Sequence, residues 1–214
     1  MIFVELAPYF PGFIAAYLIL LVGSLSPGPS VALLIGIATS QGRPPALVAT
    51  LGIALGSMTL NILTILGVGL VLSQAAWAMT ALRVIGVAYL LYLAYGAFRK
   101  VLTRPPDLKV AASENQTWLN HLLTGYLLQI TNPKAVAFWL AISSVGAVEG
   151  APVDVIALFL VGGFLISFIC HGAWAVALSV TPVRRVYVAG RRGIEAVLGG
   201  FFVFAAFKIA TSES

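Results

Sequence analysis

Hydrophobic residues run along this chain in long, nearly uninterrupted stretches, and polar residues collect in short segments between them. A bilayer crossing needs about 20 consecutive apolar residues. That requirement predicts six spans, at residues 10–39, 46–72, 78–98, 119–146, 153–178 and 193–210. The runs are continuous and lack the two-residue alternation of transmembrane β-strands. The predicted fold class is therefore an all-α membrane protein with six transmembrane helices.

The first span is too long to be one straight helix. Thirty residues at about 1.5 Å each reach about 45 Å, against a hydrocarbon core of about 30 Å. It has to tilt, break or begin outside the core, and Ser26-Pro27-Gly28-Pro29-Ser30 supplies a break. The fourth span carries its own at Thr131-Asn132-Pro133-Lys134-Ala135. Proline removes a backbone donor and crowds the preceding turn, so such a break persists in lipid only where it lines a cavity or is buried in protein. Pro29 and Pro133 stand 104 positions apart (133 − 29), and the same offset lays span 2 roughly on span 5 and span 3 roughly on span 6. A unit with an odd number of spans is inserted upside down relative to its copy. The expected organisation is one transporter domain over residues 1–214, made of two inverted three-helix repeats, approximately 1–100 and 115–214, with helices 1 and 4 broken.

Composition agrees. Hydrophobic residues make up 60% and charged residues 9%, far from the roughly 25% charge of a soluble domain, and the mean hydropathy is +1.03. No charged or low-complexity stretch is long enough for a separate soluble module. The net charge of +5 does not point to a nucleic-acid partner, because the basic residues sit in connecting loops. It reports orientation instead, since Lys and Arg accumulate on the cytoplasmic side. Arg43, the group Arg99, Lys100, Arg104 and Lys109, and the group Arg184, Arg185, Arg191 and Arg192 mark three cytoplasmic loops. The opposite side offers Glu5, the Ser73-Gln74 turn, Glu149, Asp154 and Glu213, which places both termini outside. Met1–Pro8 carries no Lys or Arg, so the first apolar stretch is expected to be retained as a span rather than cleaved. Cys170 is the single cysteine, and with His171 it makes a poor metal set. No disulfide, metal or cofactor is expected.

Paired breaks in the two halves of a chain point to a transport site near the bilayer middle. A helix restarting at Pro29 and another at Pro133, the latter with Asn132 as cap, would turn two N-terminal ends toward one another. Such ends bind anions. Lys134 adds a full charge that is costly in hydrocarbon and calls for a partner or a wet cavity. Ser26, Pro27, Gly28, Pro29, Ser30, Asn132, Pro133 and Lys134 are the expected substrate-binding residues, and a carboxylate is the chemistry that suits them. The blander alternative is a pair of kinks in packed helices with Lys134 as a counter-charge.

His171, within span 5, has an unperturbed pKa near neutrality and is a candidate for carrying a coupling proton; a packing histidine is the alternative. Arg83 is a second coupling candidate, although its stem can simply reach the headgroups. Lys208 reads as an interfacial anchor. No Asp or Glu lies in the middle of any predicted span. Gly52-Ile53-Ala54-Leu55-Gly56 is a small-xxx-small face for close helix packing, and glycine faces of this kind also suit a homodimer. Thr59, Asn61 and Thr64 fit either the lining of a polar route or interhelical hydrogen-bonding groups. The sequon Asn115-Gln116-Thr117 falls on the cytoplasmic side of this topology and is discounted.

These motifs resemble the LysE-type translocators, the family that includes lysine, homoserine and threonine exporters. The resemblance runs over nearly the whole chain. It rests on Ser26-Pro27-Gly28-Pro29-Ser30, Ser40-Gln41-Gly42-Arg43, Gly52-Ile53-Ala54-Leu55-Gly56, the stretch from Arg83 through Gly86-Val87-Ala88-Tyr89 to Leu93, Asn132-Pro133-Lys134-Ala135, and Ala206-Phe207-Lys208-Ile209-Ala210. It implies export of amino acids or related small metabolites across the bacterial inner membrane, driven by an ion gradient. Many members carry a histidine in span 2 near the position of Leu60 and an acidic residue in span 5 near His171, and this chain departs from both. The absence of a Gly-x-x-x-x-Gly-Lys-Ser/Thr loop argues against direct ATP use, which leaves secondary transport by alternating access. A cadmium-type cation exporter would want more soft ligands than one Cys and two His. A membrane enzyme would need an acid near Ser167, Cys170 and His171. No enzymatic activity is expected, and a non-transporting helix bundle is the remaining alternative.

Overall fold

The computed structural model describes residues 6–72, 76–103, 117–143, 145 and 147–211, and every regular element among them is helical. A 3-10 turn, Ala7–Tyr9, leads into α1 (Phe10–Leu25). It is followed by α2 (Pro29–Ser40), α3 (Arg43–Leu72), α4 (Ala76–Leu102), α5 (Trp118–Thr131), α6 (Pro133–Ser143), α7 (Val153–Leu178) and α8 (Thr181–Thr211).

The prolines act where expected. The first predicted span divides into α1 and α2, with Ser26 and Gly28 extended between them (ψ 133° and −168°). The fourth divides into α5 and α6 at Asn132 (φ −74°, ψ 109°). Pro29 and Pro133 each open a helix, the position where a missing N–H costs nothing. Among the described residues, Ala7–Leu25, Arg43–Gly67 and Val153–Leu178 are long and apolar enough to cross a membrane by length and composition, and Pro29–Ser40 and Pro133–Ser143 are shorter apolar helices.

The largest departure is at the C-terminal end. The basic stretch 184–192, expected as a loop, lies inside α8, which starts at Thr181 rather than near residue 193. Pro182 occupies the first turn, where it is tolerated, and no proline follows it to stop the helix. Arg191 and Glu195 then pair one turn apart. Span 4 also ends early, at Ser143 instead of 146, before a turn that includes Gly150 at φ +67°. Ser73-Gln74, Glu5, Glu213, Arg104, Lys109 and Asn115-Gln116 lie outside the described residues.

Polarity is reversed relative to a water-soluble protein. Large apolar side chains such as Ile14, Leu18, Leu66, Tyr95, Ile169 and Phe204 are exposed. Ser24, Ser26, Ser30, Ser57, Asn61, His121, Gln129, Asn132, His171 and Glu195 are buried. An integral membrane protein requires this arrangement, since lipid accepts apolar side chains and only the bundle interior satisfies polar ones.

The tightest seam joins α3 to α5. A Cβ built on Gly52 would stand 2.0 Å from the Leu122 carbonyl oxygen, and one on Gly125 would stand 2.1 Å from that of Ala49. Only glycine lets the two backbones come this close. The small-residue face of α3 is therefore consumed inside the chain and is not free to build a homodimer. Elsewhere, Phe13, Trp139 and Phe159 pack α1, α6 and α7 together, while Leu90, Ala94, Phe138, Phe202 and Ala206 join α4, α6 and α8.

Candidate functional site

The two breaks meet. Lys134, in the first turn of α6, extends its ammonium to the Ser26 carbonyl oxygen at 2.7 Å, so a residue from one break closes on the backbone of the other. Ser26 ends α1, and a cation there complements the negative end of that helix. The Lys134 ammonium also lies 5.9 Å from the centre of the Phe138 ring, one turn further along α6. Gly28 leaves the room for this, because a Cβ on it would stand 3.1 Å from Lys134 Nζ and 3.2 Å from Cδ.

Polar side chains on both sides of the junction tie the breaks together. Ser30 Oγ donates to Gln129 Oε1 at 2.8 Å, and Asn132 Nδ2 donates to Ser30 Oγ at 3.4 Å. Asn132 also caps α6, its Oδ1 accepting the Lys134 N–H at 3.1 Å. That cap leaves α2 with the freer N-terminal end, since Gly28 brings no side chain and the helical bond that opens α2 runs from Ala32 N to the Gly28 carbonyl. Helical geometry leaves the N–H groups of Ser30 and Val31 without an acceptor in their own helix. An anion lying there would meet those donors and the Lys134 ammonium together.

Three adjoining cavities surround the junction. The innermost is about 30 Å³, room for about two waters, and has Ser24, Ser57, Gln129, Trp139 and His171 among its walls. A second, of about 220 Å³, shares Gly28, Asn132 and Lys134 with it and continues to Lys100 and Glu195. A third, of about 260 Å³, is bounded by Pro27, Gly28 and Pro29 and by Lys100, Arg191 and Glu195. The Trp139 indole N–H donates to Ser57 Oγ at 3.0 Å and fixes the ring at the inner wall.

All eight residues expected at the site surround this junction, although the Ser26 hydroxyl donates back to the Gly23 carbonyl and it is the Ser26 carbonyl that faces the lysine. His171 joins them on the inner wall, with Nδ1 2.8 Å from the Ser167 carbonyl oxygen. With Nδ1 donating in that contact, a neutral ring keeps Nε2 as an acceptor. Thr131, next to the second break, is exposed and bonds back to the Leu127 carbonyl. Arg83 belongs to α4, but its side chain lies outside the described residues, as does that of Lys208.

Sequence reasoning missed Gln129, Ser57, Trp139, Lys100 and Glu195. Gln129 had a readable signal, a lone amide one turn before Pro133 in an apolar run. Glu195 did not, because it follows Arg191 and Arg192 and reads as part of a solvated basic stretch; in the fold it is 2% exposed. Its Oε1 stands 3.6 Å from Lys100 Nζ and 3.8 Å from Arg191 Nε. Among the described residues, no three His, Cys, Asp or Glu side chains come together in a way that would hold a metal ion.

Several known proteins are similar to this chain. A threonine efflux protein of Escherichia coli (strain K12) is 29% identical over 131 residues, covering 59% of this chain and 62% of that protein. The chain thus spans less than two thirds of that relative. An uncharacterized membrane protein of Pseudomonas aeruginosa is 28% identical over 199 residues, 88% of this chain and 89% of its own. The uncharacterized membrane protein YahN of E. coli K12 is 26% identical over 181 residues, 84% and 81% of the two chains. No solved structure matches. The family described as LysE type translocator matches residues 21–213, and the chain belongs to it.

Proposed function

We propose that this chain is a secondary active exporter of amino acids or related small carboxylate metabolites across the bacterial inner membrane, working by alternating access around the proline junction. Membership of a translocator family supports transport, and the threonine efflux protein among its relatives supports export of an amino acid. The observation that carries the site is the Lys134 ammonium held 2.7 Å from the Ser26 carbonyl. A cation whose direct contacts among the described residues are a neutral carbonyl and an aromatic face is ready to take a carboxylate, and the α2 N–H groups are ready to share it.

Six spans in two inverted repeats fit the packing. If α1 with α2 and α5 with α6 are equivalent broken helices, the contact of α3 with α5 has its counterpart in α7 with α1, and that of α2 with α7 in α6 with α3; all four occur. The positive segments then face the cytoplasm and both termini face outward. The two larger cavities, which share Lys100 and Glu195 in their walls, open on the cytoplasmic side in this orientation, the side from which an exporter loads.

Efflux of a panel of labelled amino acids and their derivatives from loaded cells tests the reading, with wild type compared with Lys134→Ala. The expected result is efflux of one class that collapses with a protonophore and is lost in the variant. Efflux untouched by the substitution would overturn the site.

A further inference from the structure

We propose that Glu195 is the group that recognises the substrate's α-ammonium, so that the site selects zwitterionic amino acids over plain carboxylates. This rests on the carrier reading and deepens it. Glu195 is 2% exposed and lines both larger cavities, one of which it shares with Lys134. Its Oε1 is buried and has no hydrogen-bond partner among the described residues. The two cations beside it stand at 3.6 and 3.8 Å, beyond hydrogen-bonding distance. A buried carboxylate oxygen left in this state is costly.

A primary ammonium removes that cost, since it brings three donors and a full charge. Lys100 and Arg191 are 42% and 22% exposed and stand beyond hydrogen-bonding distance, so they lose little as the substrate takes over the carboxylate. The opposite charge of the zwitterion is met across the same cavity by Lys134 and the start of α2. Phe138, one turn beyond Lys134, packs edge-on against Phe202 of α8 with ring centres 5.8 Å apart, which brings α6 alongside the helix that carries Glu195. Leu93, Ala97, Leu198 and Phe202 contribute an apolar stretch of the wall that suits a small side chain.

The test is binding to purified full-length protein, read by calorimetry, for two matched pairs: L-threonine with 3-hydroxybutyrate and L-leucine with 4-methylpentanoate. Each pair differs only in the amino group. Wild type should bind one amino acid roughly tenfold or more tightly than its partner, and Glu195→Gln should lose that preference while keeping the carboxylate's affinity. Wild-type protein that binds both members of a pair equally would overturn the inference without reference to any variant. So would Glu195→Gln protein that weakens both members equally, the outcome for an ion triad that only holds α8 in place. Protein that binds none of the four would overturn the amino-acid exporter reading itself.

Discussion

Lys134 Nζ and the Ser26 carbonyl oxygen lie 2.7 Å apart although 108 positions separate them in the chain. The contact joins the last carbonyl before one proline break to the first turn after the other. It places a positive charge at the junction of two halves that are also linked by apolar packing, by neutral hydrogen bonds beside the breaks, and by the Arg43–Ser179 and Lys100–Glu195 contacts.

Gly28→Ala should weaken transport without unfolding the protein. Gly28 is extended at φ −169°, which any residue adopts, and the three atoms nearest the added methyl all belong to the flexible end of Lys134, 3.1 Å away at Nζ. Lys134 has to shift by a few tenths of an ångström, away from its carbonyl. Efflux normalised to membrane abundance should fall about fivefold, equivalent to about 1 kcal/mol, with the thermal midpoint in detergent unchanged. A stable variant with full transport would show that the lysine's position is not critical.

Gly52→Ala and Gly125→Ala should do the reverse and damage the fold first. Their added methyls would meet backbone oxygens of the facing helix, which no rotamer change relieves. About 3 kcal/mol of destabilisation is expected for each, seen as a lowered midpoint in thermal unfolding followed by size-exclusion chromatography. Either substitution leaving the midpoint unchanged would mean that α3 and α5 separate readily.

Orientation can be checked with single cysteines in a Cys170→Ala background, the native thiol being buried. Ala151→Cys should react with a membrane-impermeant maleimide in intact cells, and Arg185→Cys only after permeabilisation. The opposite pattern would invert the proposed topology and move the large cavities to the outer face.

The breaks were legible because proline acts locally: Pro29 and Pro133 dictate a helix start whatever surrounds them, and Asn132 caps the helix that follows it. The Gly52–Gly56 face was legible as packing, though nothing in its pattern named Gly125 as the partner. Glu195 was hidden for the opposite reason. A glutamate beside two arginines has the local signature of a solvated surface, and only the approach of α4 and the proline loop takes it out of water. The same holds for Ser57 and Trp139, whose pairing across 82 positions depends on how α3 and α6 cross. The early start of α8 escaped notice because hydropathy marks where a helix enters lipid and not where it begins.

The glycine contact between α3 and α5 also limits how this molecule can change shape. Where two backbones touch directly, no intervening layer of side chains exists to rearrange, so those helices travel as a welded pair. Compliance must come from seams filled with rotatable groups, and the Phe138–Phe202 seam between α6 and α8 is one of them. By omitting two methyl groups, the sequence separates a stationary frame from the part of the bundle that is able to yield.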